Sequence, residues 1–231
     1  MSKTIRTLAA GLAAAAVTTA GAQAAVFLDQ GLNTYQLSAF EFDGSAADAY
    51  SYGSPDKWSY NGDTVNGLPT AEDGVAKLFL VNTTEDGLTL FGVFDSVDDG
   101  EGGSQDSEWF YIEGDSDGAL LIRDDNDGND VYNETTHGYH LDHQWNACCT
   151  DGFVFSLNFD SFDLLGDMSE GGSGLDSLVF VNNYGDDIEL SFHDAFRIYT
   201  DAAVPVPAAL PLGAVGFASL MGIARRRRRK A

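Results

Sequence analysis

Between residues 25 and 203, apolar and polar positions alternate with period two in several stretches, the pattern of strands that turn one face to a core. In GFVFSLNFD, Phe153, Phe155, Leu157 and Phe159 fall on one side and Val154, Ser156 and Asn158 on the other. Ile188, Leu190 and Phe192 repeat the pattern in IELSF. The run AKLFLVNTTEDGLTLFGVFD predicts two strands joined at Thr84-Glu85-Asp86-Gly87, a hairpin turn whose residues suit positive φ. Further strands are predicted at 35–42, 108–113, 119–123, 178–181 and 196–200. No stretch of this body holds three turns of clean helical period, and 161–168 is the candidate for a helical turn. About eight to ten short strands between Gly/Asp/Asn/Ser loops predict an all-β fold, an antiparallel β-sandwich of jelly-roll type. The long loops, 44–53, 95–106, 124–136 and 167–174, carry much of the acid.

The two ends follow other rules. Lys3 and Arg6 precede an Ala-rich apolar run that closes on Ala22-Gln23-Ala24, a small-x-small cleavage site, so residues 1–24 read as a secretory signal peptide. At the other end, Ala208 to Ala224 is a run of 17 uncharged residues. As a hydrophobic helix it would reach roughly 25 Å, slightly less than a hydrocarbon core of about 30 Å, and so is marginal as a permanent transmembrane helix. Arg225, Arg226, Arg227, Arg228, Arg229 and Lys230 follow it and would stay on the cytoplasmic side. Pro205, Pro207 and Pro211 oppose helix at its start and mark a junction. Three parts result: a leader (1–24), an acidic β-domain (25–203) and a C-terminal membrane segment (204–231).

The residues Val204-Pro205-Val206-Pro207-Ala208, then an apolar run, then a terminal arginine cluster, resemble the PEP-CTERM class of bacterial sorting tails, in its VPLPA variant. Val206 stands where that variant has Leu. The resemblance implies a Gram-negative envelope protein that is exported across the inner membrane and held there transiently by its C-terminus. It further implies recognition by an exosortase-type sorting protease and release to the cell surface or beyond, in a setting of exopolysaccharide production. It covers only about the last 28 residues and does not extend to the body.

Charge narrows the partners. All 36 acidic residues lie between Ala25 and Val204, against four basic ones, Lys57, Lys77, Arg123 and Arg197, a net −32 over those 180 residues. Such a surface repels phosphate backbones and anionic lipids, which disfavours nucleic acid, and it suits divalent cations or salty surroundings. With 14 Phe, 9 Tyr and 3 Trp in the same span, the body has the means to fold around a core.

The segment EGDSDGALLIRD aligns partly with a calcium loop: Glu113, Asp115 and Asp117 at positions 1, 3 and 5, Gly118 at 6, the Ala119 carbonyl at 7 and Asp124 at 12. Glu at position 1, Asp at 12 and strand-like flanks depart from that pattern. Asp125, Asp127 and Asp130 follow as a second cluster, and Ca²⁺ is the cofactor these acids point to. Acidic turns between strands are the plainer explanation in so acidic a chain.

In HGYHLDHQWNACC, His137, His140 and His143 recur every three residues ahead of Cys148 and Cys149. On a helix the imidazoles would share one broad face and suit Zn or Cu; on a strand alternate members would face opposite ways. Adjacent cysteines in an oxidising compartment leave three fates open: a strained vicinal disulfide, an intermolecular bridge or metal ligation.

Trp58 and Trp109 are candidates for stacking on sugars, against the commoner role of core anchor. The chain has no G-x-S-x-G elbow, no H-E-x-x-H and no P-loop. Carboxylate pairs of the kind that hydrolyse glycosides are numerous among its acids, and sequence does not measure their separation. The expectation is a non-catalytic, calcium-binding envelope or matrix protein, structural or adhesive, with exopolysaccharide as its setting. A carbohydrate-binding module comes second and a carbohydrate-active or metal-dependent hydrolase third.

Overall fold

The computed structural model of the chain describes residues 24–50, 60, 67–95, 102–111, 119–124, 131–135, 138–145, 150–157, 162–168 and 173–201. In chain order they form β1 (Val26–Gln30), β2 (Asn33–Leu37), β3 (Phe40–Phe42), a short helix α1 (Ala46–Tyr50), β4 (Val75–Thr83), β5 (Gly87–Phe94) and β6 (Gly103–Tyr111). Then come β7 (Leu120–Arg123), β8 (Val131–Thr135), β9 (Gly138–Trp145), β10 (Asp151–Ser156), β11 (Asp163–Met168), β12 (Ser177–Phe180), β13 (Ile188–Leu190) and β14 (Phe196–Thr200). The chain is mostly β. Residues 1–23, nearly all of the span read as a leader, and 202–231, with the whole C-terminal segment, lie outside the described residues.

The strands make two sheets. The first runs β2-β1-β14-β11-β6-β9-β8, the second β13-β12-β4-β5-β10-β7, with β3 also paired to β4. The first is antiparallel throughout. The second is mixed, because β12 and β3 both pair with β4 in parallel, and this corrects the expectation of antiparallel pairing alone.

Period-two alternation decides which side chains meet. Leu28, Trp109, Leu141, Leu164 and Ile198 of the first sheet share one core with Leu78, Leu90, Phe153, Phe155 and Phe180 of the second. Phe153, Phe155 and Leu157 fall together as their spacing predicts, and Val154 faces the other way. There it joins Phe79, Phe91 and Ile122 in a second cluster covered by Ala46, Ala49 and Tyr50 of α1 and by Tyr60 and Leu68. With β4 and β5 covered on both faces, their sequences are near-continuous apolar runs instead of alternating ones.

Local chemistry sets the junctions. Ser45 caps α1: its hydroxyl accepts the Asp48 N–H at 3.1 Å, and Asp48 Oδ2 accepts the Ser45 N–H at 3.3 Å. Gly87 closes the β4–β5 turn at φ 74°, the left-handed conformation foreseen there. Gly166 leaves room for two rings, since a Cβ on it would meet Phe196 at 2.7 Å and Trp109 at 2.8 Å.

The expected loops 44–53, 95–106 and 124–136 hold α1, the start of β6 and β8, and the expected helical turn is also overturned. Residues 163–168 are a strand and not a helical turn: Leu164 and Met168 share a face in either geometry, because four residues is both about one helical turn and an even strand step. Residues 138–145, which hold two of the three spaced histidines, form β9, which pairs with both β6 and β8.

Candidate functional site

The outer face of the first sheet carries the residues that its core does not take. On β6, Gln105, Ser107 and Trp109 turn inward, which leaves Asp106, Glu108 and Phe110 outside. On β9, Leu141, His143 and Trp145 are buried, and His140, Asp142 and Gln144 project outward. On β11 the outward positions are Leu165 and Asp167. Strand register then sets Asp167, Glu108 and His140 in one row across three strands and Asp106 opposite Asp142 in the next. Four carboxylates and one imidazole share this patch.

Two depressions follow the β6–β9 pair and meet at Asp106. One, of about 230 Å³, is lined by Asp106, Ser107, Glu108, His140 and Asp167. The other, of about 520 Å³, runs past Asp142, Gln144, Ser104 and Ser173. His140 Nδ1 lies 3.6 Å from Glu108 Oε1, with both groups partly in solvent. Partial burial raises the Asp142 carboxyl above the usual aspartate range, and the adjoining Asp106 carboxylate, through a hydrogen bond and its charge, raises it further. Gln144 and His143 act in the opposite direction. Like charges are thus set face to face across a strand pair, an arrangement that costs stability unless a proton or a cation comes between them.

Farther along the same face the chemistry changes. Arg197 donates to both oxygens of Asp163, at 2.7 and 2.6 Å, and lies 4.5 Å from the Tyr199 ring centroid. Tyr199 in turn stacks on Phe27 at 5.8 Å.

A second concentration of carboxylates is buried at one end of the second sheet. Because β10 is antiparallel to β5 and β7, the residues Asp95, Asp124 and Asp151 gather at the same end. Asp95 Oδ2 accepts the Trp145 indole N–H at 2.7 Å, and its Oδ1 accepts the Gly74 N–H at 2.8 Å. Tyr50 O–H donates to Asp124 Oδ2 at 2.6 Å. His143 Nδ1 lies 3.1 Å from Asp151 Oδ1 and joins β9 of one sheet to β10 of the other. Asp151 Oδ2 is buried with no hydrogen-bond partner among the described residues. These groups act as internal ties, whereas the outer patch is open to a ligand.

The residues singled out by sequence are distributed differently. Ala119 and Asp124 lie at opposite ends of an extended segment, about 16 Å apart at ~3.3 Å per residue. The Ala119 carbonyl accepts the Ser156 N–H at 2.8 Å, and Asp124 N–H donates to Gly152 O at 3.1 Å. Of the calcium-loop candidates, Ala119 and Asp124 are thus engaged at opposite ends of β7. Glu113, Asp115, Asp117, Asp125, Asp127 and Asp130 lie outside the described residues.

His140 and His143 face opposite sides of β9, one to solvent and one to the core, so these two do not converge on one transition metal. His137, Cys148 and Cys149 lie outside the described residues, as does Trp58. Trp109 is fully buried among Phe153, Phe155 and Phe196, and an enclosed ring has no face to give a sugar.

Among the described residues, no three His, Cys, Asp or Glu side chains converge as a preformed metal centre does. The outer patch offers hard oxygen donors that fit calcium in kind, but spread along a trough, so solvent would complete the shell. Sequence reading missed Asp106, Glu108, Asp142 and Asp167. Their signal was there in the polar alternation of S-x-D-x-E and H-x-D-x-Q, legible once β6 and β9 are known to be neighbours. Compared with known proteins, the chain matches no family model, no curated protein and no solved structure.

Proposed function

We propose that the chain is a secreted, surface-sorted, non-catalytic protein of a bacterial envelope or extracellular matrix, a β-sandwich of jelly-roll type whose acidic outer face takes calcium. The observation behind the reading is the opposed pair Asp106 and Asp142, set in register beside Glu108 and Asp167. A hard dication between these carboxylates replaces repulsion with attraction and finds the oxygen ligands it prefers. An open face with water in the shell suits the weak class of extracellular calcium sites, with Kd of about 10⁻⁴–10⁻³ M. Calcium held there would have coordination positions left for the anionic groups of a matrix polymer, which gives the protein a structural or adhesive role among exopolysaccharides.

Export and sorting belong to the same proposal. The leader would take the chain across the inner membrane, and the tail beginning Val204-Pro205-Val206-Pro207-Ala208 would hold it there until an exosortase-type protease releases it. Two experiments test the two halves. Calorimetric titration of the protein with calcium should show weak binding that Asp106→Asn with Asp142→Asn removes; unchanged binding in that variant would refute the site. Intact mass of the protein recovered from the cell surface should lack the arginine cluster, and a retained tail would refute the sorting.

A further inference from the structure

We propose that the groove between the edge strands β2 and β13 binds a neutral oligosaccharide. The groove has a volume of about 790 Å³ and is lined by Thr34 and Gln36 from one sheet, Glu189 from the other, and Asn182, Asp186 and Asp187 from the turn before β13. That volume falls within the range of about 300–1,000 Å³ usual for ligand sites. It lies at the β2 edge, away from the Asp106–Asp142 trough on β6 and β9.

Three observations fix the ligand class. First, the lining is mostly polar, with Tyr35 and Ile188 beside the polar groups: carboxylates accept, and carboxamides both accept and donate, which matches vicinal hydroxyls. Among the described residues no cation lines the groove, so a polyanion would meet like charge. Second, Tyr184 is 80% exposed at the middle of the turn whose two flanks, Asn182 and Asp186, line the groove. A large ring held in water, two residues from either of those lining positions, offers an apolar face on which a sugar ring packs. Third, the groove walls are pinned at both ends. Asn182 Oδ1 accepts the Ser38 N–H at 2.8 Å and its Nδ2 donates to Gln36 O at 3.2 Å. At the other end Gln30 and Ser191 exchange two bonds, Nε2 to O at 3.0 Å and N–H to Oε1 at 2.9 Å. A preformed groove spares the ligand the cost of ordering it.

The same bonds argue against an added peptide strand. An extended peptide would need the free backbone edge of β2, but Gln36 O and Ser38 N are already occupied by the Asn182 side chain. A glycan needs no backbone ladder.

This inference rests on the matrix role only for the source of the glycan. Its test reads glycan binding and that role is tested by calcium, so the two fail separately. The full chain is titrated calorimetrically with cellohexaose, maltohexaose and mannohexaose, in EDTA. At least one should bind with a sub-millimolar Kd, weakened about tenfold or more by Tyr184→Ala and by Glu189→Ala and largely retained by Tyr184→Trp. Tyr184 and Glu189 are both exposed, so the melting temperature of these variants should match the parent's. The proposal is overturned if none of the three hexasaccharides binds, or if binding survives both alanine substitutions. It is equally overturned if hexalysine binds the groove in a Glu189-dependent way and the glycans do not.

Discussion

His143 and Asp151 meet across the two sheets, Nδ1 to Oδ1 at 3.1 Å, with the side chains 0% and 1% exposed. The imidazole also packs edge-on to Phe94 at 4.9 Å and against Phe153 at 5.9 Å, so its loss strands a buried carboxylate and opens a hole among rings. His143→Ala should cost about 3–5 kcal/mol of stability by chemical denaturation. In a double-mutant cycle with Asp151→Asn the combined loss should fall short of the sum of the single losses. Additive losses would show that the two groups do not act as a pair.

Asp95 does two jobs at one place. It sits at φ 63°, in the left-handed region, and its carboxylate accepts from both Gly74 N–H and the Trp145 indole. Asn tolerates that backbone and keeps one acceptor oxygen, whereas Ala tolerates it poorly and keeps none. Asp95→Ala should therefore destabilise by about 1–2 kcal/mol more than Asp95→Asn. Equal losses in denaturant melts would contradict this account of the residue.

The Asp142 carboxyl titrates above the usual aspartate range, burial first and Asp106 second. The native state therefore binds this proton more tightly than the unfolded chain. The stability it contributes is present at acid pH and is lost as the pH rises through the raised pKa. In EDTA at neutral pH, Asp142→Asn should melt above the parent, because it removes a repulsion that the parent retains. Below about pH 3.5, where aspartate is largely protonated in the unfolded chain too, the gap should close. A lower melting temperature for Asp142→Asn at neutral pH would mean that the carboxylate is stabilising as it stands.

Sequence made the strands legible where one face was apolar. The hairpin at Gly87 and the face shared by Phe153, Phe155 and Leu157 appear as their patterns imply. It failed where polar side chains go inward: β9 carries His143 among aromatic residues, and β6 buries Gln105 and Ser107, so neither reads as half-apolar. It failed again where two periods agree, as at Leu164 and Met168. The candidate site was out of reach for a different reason. Asp106 and Asp142 are 36 positions apart, and only the pairing register brings them face to face. The D-x-D-G run, by contrast, is conspicuous in one dimension and lies outside the described residues, and the Ala119 and Asp124 that follow it are set apart by an extended strand.

Whether a dication belongs to the native state is read directly by a melting experiment. The full chain would be melted in EDTA and in millimolar calcium, with sodium chloride matching the ionic strength so that screening is equal. An ion that binds only the folded protein must raise the melting temperature. The expected result is a rise of several degrees that Asp106→Asn with Asp142→Asn largely abolishes. No rise, or a rise untouched by those substitutions, would contradict it.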